Sequence, residues 1–153
     1  MMETLGPEEL KKIPLFQNLD SNEVAEVLKL SERQDYAKDD FVFQQEEEAK
    51  RLFIVEKGLV AMIIQLKPGT VRVIATESRG GAFGWAALLP SQRHTTSAKC
   101  QEPSRLLVLD GTKVRELCYE NPRLGVKVME GLAQFIANRI YSTNLRMLDA
   151  MWI

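Results

Sequence analysis

Histidine occurs once in this chain, at position 94, and cysteine twice, at 100 and 118. With no Cys-x-x-Cys pair and no second histidine, zinc and redox spacings have nothing to build on, and two free buried thiols are the expected state. An excess of either charge is missing too: 20 Lys and Arg face 21 Asp and Glu, a net charge of −1. No overall field therefore draws the chain to nucleic acid or to an anionic membrane. The longest apolar run, Leu59 to Ile64, falls far short of a bilayer span. The start, Met-Met-Glu-Thr-Leu-Gly-Pro-Glu-Glu-Leu, lacks the basic opening and apolar stretch of a secretory leader, so a cytoplasmic location is expected. There is no Ser-His-acid set, no metal constellation, and no carboxylate group better explained as catalytic than as a solvated turn, as for Glu46-Glu47-Glu48. No catalytic residues and no metal ligands are assigned, and an enzyme is not expected.

What is present is globular. Hydrophobic residues are 45% and charged residues 27% of 153, enough for a real core in one domain spanning 1–153. Pro7 with Glu8 and Glu9 opens a first helix, Pro14 interrupts it, and Asp20 caps a second one carrying Val24, Val27, Leu28 and Leu30 at helical period. Residues 1–31 are thus N-terminal helices.

From about residue 33 the period drops toward two. Phe41–Phe43, Leu52–Val55, Leu59–Ile64 and Val71–Ala75 alternate with short polar turns at the spacing of antiparallel sandwiches and barrels. Strand character resumes at Thr95–Lys99 and Arg105–Leu109, so 32–110 is expected to be the β unit. Between these runs lies Gly80 to Ala98, where Gly80, Gly81 and Gly84 free the backbone and lead into a short helical segment from Trp85 to Leu89, stopped by Pro90. Such a turn presents unpaired N–H groups and can hold an anion, with Arg93 and His94 close enough to add donors.

Residues 111–153 are expected to form a short helix through Cys118 and then a long one from Pro122 to about Ala150. Val126, Met129, Ala133, Ile136, Ile140, Thr143 and Met147 recur in steps of three and four, a heptad stripe suited to a homodimer. A second stripe, Leu132 and Phe135 and then Tyr141, Leu145, Leu148 and Trp152, is assigned to the sandwich at its start. A long helix lying on its own core accounts for the first half of the pattern equally well.

This order of elements resembles the cyclic nucleotide-binding domain family, from Ile13-Pro14-Leu15-Phe16 through Leu52-Phe-Ile-Val-Glu-Lys-Gly58 to Arg105-Leu-Leu-Val-Leu-Asp110. The most specific piece is Phe83-Gly84-x-x-Ala87-Leu88-Leu89, which looks like the family's phosphate-binding cassette. The resemblance implies a mainly β fold, a jelly-roll-like β barrel with flanking helices, holding its ligand between cassette and long helix. Members that bind cyclic AMP or cyclic GMP usually carry Glu directly after Phe-Gly, where it accepts a bond from the ribose 2′-hydroxyl. Here that residue is Trp85, an indole with a donor and no acceptor. The family's phosphate-pairing Arg falls nine residues further on, and an ungapped count reaches His94, with Arg93 one place earlier. Neighbours on a strand face opposite sides, so either Arg93 or His94 faces the pocket. Thr95 stands where some members use Thr to favour guanine.

The leading expectation is a sensor module whose site is Gly81, Phe83, Gly84, Trp85, Ala86, Arg93, His94, Thr95 and Thr96. Its ligand would be a non-standard nucleotide, another small anion, or cyclic AMP bound weakly, and its output would pass through an effector protein. Trp85 either stacks on a ligand ring or plugs the barrel. The alternative is a degenerate domain that binds nothing and serves as a dimerising interaction module. A third reading, haem sensing, follows relatives that bind haem near the cassette and would use His94 with Cys100. Direct DNA binding is not expected, because the family's transcription factors add a helix-turn-helix after the long helix and few residues here follow Ala150.

Overall fold

The computed structural model describes residues 4–151. Pro7–Leu10 forms helix α1, with Pro7 in its first turn and Glu8 and Glu9 at the positive end of the dipole. Pro14 starts a separate 3-10 turn, Pro14–Phe16, instead of prolonging α1. Helix α2, Ser21–Leu28, begins with a reciprocal capping box: the Glu23 N–H donates to the Asp20 carboxylate at 2.9 Å, and the Asp20 N–H donates to the Glu23 carboxylate at 3.0 Å.

Eight strands follow: β1 Ser31–Tyr36, β2 Phe41–Phe43, β3 Arg51–Lys57, β4 Val60–Lys67, β5 Thr70–Glu77, β6 Ala82–Phe83, β7 Ser97–Cys100 and β8 Ser104–Asp110. They make two four-stranded antiparallel sheets, ordered β1-β8-β3-β6 and β2-β7-β4-β5, in the expected jelly-roll-like barrel with flanking helices. Between the sheets lies a core of Phe43, Phe53, Val55, Met62, Phe83, Leu106 and Val108. A second core lies between the first sheet and the helices, where Leu52, Ile54, Leu107 and Leu109 meet Leu10, Phe16, Val24 and Leu124. Strands β3 and β8 are therefore buried on both faces. This is why they read as unbroken apolar runs while the partly exposed strands alternate.

Two strands depart from the sequence reading. The glycine-rich stretch does not simply interrupt the sheet: β6 lies inside it and pairs with β3, Phe83 opposite Phe53. Strand β1, Ser-Glu-Arg-Gln-Asp-Tyr, has little apolar character because it is half-exposed and held by its ladder to β8.

Helix α3, Gly111–Glu120, is capped by the Asp110 carboxylate, which accepts the Lys113 N–H at 3.1 Å. Helix α4 runs from Pro122 to Met151. Its buried side is Leu124, Val128 and Leu132, with Phe135 and Ile136 half-buried. Val126, Ala133, Ile140, Thr143 and Met147 of the heptad stripe are exposed, and Met129 and Ile136 are half-buried against the second core. Tyr141, Leu145 and Leu148 are exposed as well, and Trp152 lies outside the described residues.

Both thiols are free; Cys100 is buried and Cys118 half-buried, and burial pushes both above the usual thiol range. Among the described residues, no helix is long and apolar enough to cross a membrane. The only acidic side chain buried in the described residues is Glu56, whose carboxylate accepts from Arg33 Nε at 2.7 Å and Nη2 at 3.2 Å. Arg79, one residue before the glycine turn, donates to the Glu56 carbonyl at 2.8 Å and to the Glu9 carboxylate at 3.0 Å. The glycine turn is thus tied at its start to both β3 and α1.

Candidate ligand cavity between the glycine turn and helix α4

Mutual backbone bonds anchor the glycine turn to β3: the Gly80 N–H donates to the Val55 carbonyl and the Val55 N–H to the Gly81 carbonyl, both at 2.9 Å. After β6, Gly84 turns the chain with φ at 81°, left-handed territory that a side chain disfavours. The segment Trp85–Leu88 then coils as a 3-10 helix, with Ala87 N–H donating to the Gly84 carbonyl at 3.1 Å. Among the described residues, the N–H groups of Trp85 and Ala86, at its start, meet no backbone acceptor. Phe83 stacks on Phe53 at 5.2 Å between ring centres and lies tilted against Phe43 at 5.9 Å, giving the site an aromatic floor.

Above that floor is a cavity of about 210 Å³, bounded by the glycine turn, β4, β5 and the middle of α4. Of the nine site residues read from sequence, Phe83, Gly84, Trp85, Ala86, His94, Thr95 and Thr96 line it. Gly81 and Arg93 do not. The Arg93 guanidinium donates to the Glu46 carbonyl at 2.8 Å, and the side chain is exposed. His94 is the residue that faces inward, 6% exposed, its imidazole flat on the Phe43 ring with centres 3.5 Å apart. Its backbone is fixed by bonds of 2.9 Å to Glu46 and to Glu47, so the register places His94 and not Arg93 at the cavity. Burial pushes the imidazole below its ordinary pKa, with Glu47 pulling weakly the other way, so the ring is neutral at pH 7. Trp85 is half-buried and meets Phe135 of α4 edge-on, centres 6.3 Å apart, so it closes the cavity rim against the helix. Cys100 belongs to the inter-sheet core and does not line the cavity with His94.

Seven lining residues were missed in the sequence, and two of them, Glu77 and Arg139, are charged. Glu77, at the end of β5, leans over Gly81, where an added Cβ would collide with its carboxylate. Burial pushes the Glu77 carboxyl above its usual range, and the charge of Arg139 draws it back down. Arg139, exposed on α4, holds its guanidinium over the Phe135 ring at 5.4 Å. Both had a signal. Ala75 pairs with the inward Met62, and period two puts Glu77 on the same face. Arg139 is one helical turn past Phe135, on the same side.

A family model described as the cyclic nucleotide-binding domain matches residues 33–121 of the chain. The chain belongs to the cyclic nucleotide-binding domain family. In this domain the matched region holds the glycine turn and every cavity residue except Phe135 and Arg139. A cAMP-dependent protein kinase regulatory subunit of Candida albicans is 26% identical over 141 residues, covering 86% of this chain and 30% of that protein. The match spans 20 to 30% of the length of the three curated relatives found. Among solved structures, the catabolite activator protein of Thermus thermophilus is 28% identical with a TM-score of 0.77, covering 88% of this chain and 61% of that one. A cyclic nucleotide-binding domain from Methylobacillus flagellatus, at 22% identity, shares the fold with a TM-score of 0.79 over 92% of this chain and 79% of that one.

Proposed function

We propose that this domain is a small-molecule sensor that binds an anionic ligand, a non-standard nucleotide or cyclic AMP held weakly, in the cavity between the glycine turn and α4. The observation that carries the reading is that cavity, walled on one side by the segment the family uses for phosphate and on another by the long helix. The chemistry argues against tight binding of ordinary cyclic AMP. Trp85 supplies no acceptor for a ribose hydroxyl, and the inward residue, His94, is neutral and lacks a guanidinium fork. The Candida albicans relative is a cAMP-dependent protein kinase regulatory subunit; by analogy the output here passes through an effector protein. Calorimetric titration with cyclic AMP, cyclic GMP and cyclic dinucleotides is the test. Binding of at least one with a Kd of tens of micromolar or weaker is expected, about 6 kcal/mol at that strength. Submicromolar cyclic AMP binding would contradict the weight placed on Trp85 and His94.

The exposed stripe on α4 supports homodimerisation through that helix: Val126, Ile140 and Met147 are 56 to 57% exposed, costly surface for a lone helix. Light scattering should give the mass of two chains, and Ile140→Glu should return it to one. The same exposed stripe favours a second reading, a dimerising interaction module without a ligand. Melting temperatures unmoved by any nucleotide in the panel would select it.

A further inference from the structure

Arg139 and Glu77 are the charged side chains that line the cavity among the described residues, and they reach it from different walls, α4 and β5. Neither belongs to the glycine turn. Arg93 is committed to the Glu46 carbonyl and His94 is neutral, so the turn itself contributes no full positive charge. The guanidinium of Arg139 is steadied on Phe135, and Phe135 in turn meets Trp85, so a run of three side chains joins the helix to the turn at the rim. On the other wall, the absence of a side chain at Gly81 is what lets the Glu77 carboxylate lean inward.

Resting on the reading of this cavity as a ligand site, we infer that Arg139 is the countercharge for the ligand's anionic group and that Glu77 accepts a hydroxyl or amine hydrogen from the same ligand. The pair sets a chemical class. A guanidinium binds phosphate or carboxylate in a fork of N–H donors, and a carboxylate across the same small space rewards a donor and repels extra negative charge. A singly charged anion carrying sugar hydroxyls therefore fits, and a polyphosphate does not. Because one contact is on α4 and the other on β5, a bound molecule also fastens the helix to the barrel.

Calorimetric titrations with cyclic AMP, its uncharged relative adenosine, and ATP test this on the wild-type chain and on Arg139→Gln, Glu77→Gln and Arg93→Gln. Arg139→Gln should weaken cyclic AMP about tenfold, the scale of one lost charge-assisted bond, and leave adenosine unchanged. Arg93→Gln should stay within about twofold of wild type, and Glu77→Gln should narrow the preference for cyclic AMP over ATP. Arg139 is exposed, so an unchanged melting curve will show that the variant folds. Wild-type binding that Arg139→Gln leaves intact, or a loss that appears at Arg93→Gln instead, overturns this inference and leaves the sensor reading standing. A wild-type chain that binds none of these three, and neither cyclic GMP nor the cyclic dinucleotides, overturns both.

Discussion

His94 shows how much one residue of register decides. The sequence left Arg93 and His94 as equal candidates, since nothing in Pro90-Ser-Gln-Arg-His tells which side chain the bonds to Glu46 and Glu47 will turn inward. Burial holds the folded imidazole below its ordinary value of 6.5, so the unfolded chain takes up a proton that the folded chain resists. Stability is therefore lost as pH falls through about 6.5 toward the lower folded value. Glu77 has the opposite sign: its folded carboxyl sits above the ordinary 4.5, which favours folding as pH falls toward 4.5. The two are separated by comparing melts of wild type and His94→Gln at each pH. Wild type should lose more stability than the variant between pH 7.5 and 5.5; parallel curves would show that the ring titrates normally. Glu77 was legible only with the strand pairing in hand, and Arg139 only once Phe135 was placed at the cavity, because a lone carboxylate near a turn and a lone Arg on a helix look like solvated surface.

The elements themselves were easier to see. Asp20 and Pro122 marked helix starts through capping and fixed φ, and the double-faced strands β3 and β8 stood out as continuous apolar runs. Strand β1 and the two-residue β6 were illegible for the converse reason: their place is set by ladder bonds to β8 and β3, not by side-chain pattern. The glycine turn was found by composition, and Gly84 is where it is most constrained. A Cβ there would lie 3.0 Å from the Arg51 carbonyl oxygen and 3.2 Å from the Phe53 ring, at a φ of 81°. Gly84→Ala should cost about 1–3 kcal/mol in urea denaturation. A cost near zero would mean that the turn can relax into another conformation.

Across the whole molecule, the buried Glu56 links parts far apart in sequence. Arg33 on β1 neutralises it, and Arg79 carries the connection to α1 and to the glycine turn. Arg33→Ala strands a carboxylate whose side chain has no exposure, and because Arg33 itself is half-exposed the expected loss is about 2–3 kcal/mol, at the low end for a broken buried pair. Arg33→Lys should recover part of it, and chemical denaturation measures both. Strand β3 makes a comparable connection in carbon instead of charge. Alternate side chains along seven residues serve the aromatic floor on one side and the helical layer on the other. Neither layer can then melt while the other stays intact: heating should give one calorimetric peak, with the amides of β3 among the last to trade hydrogen for deuterium.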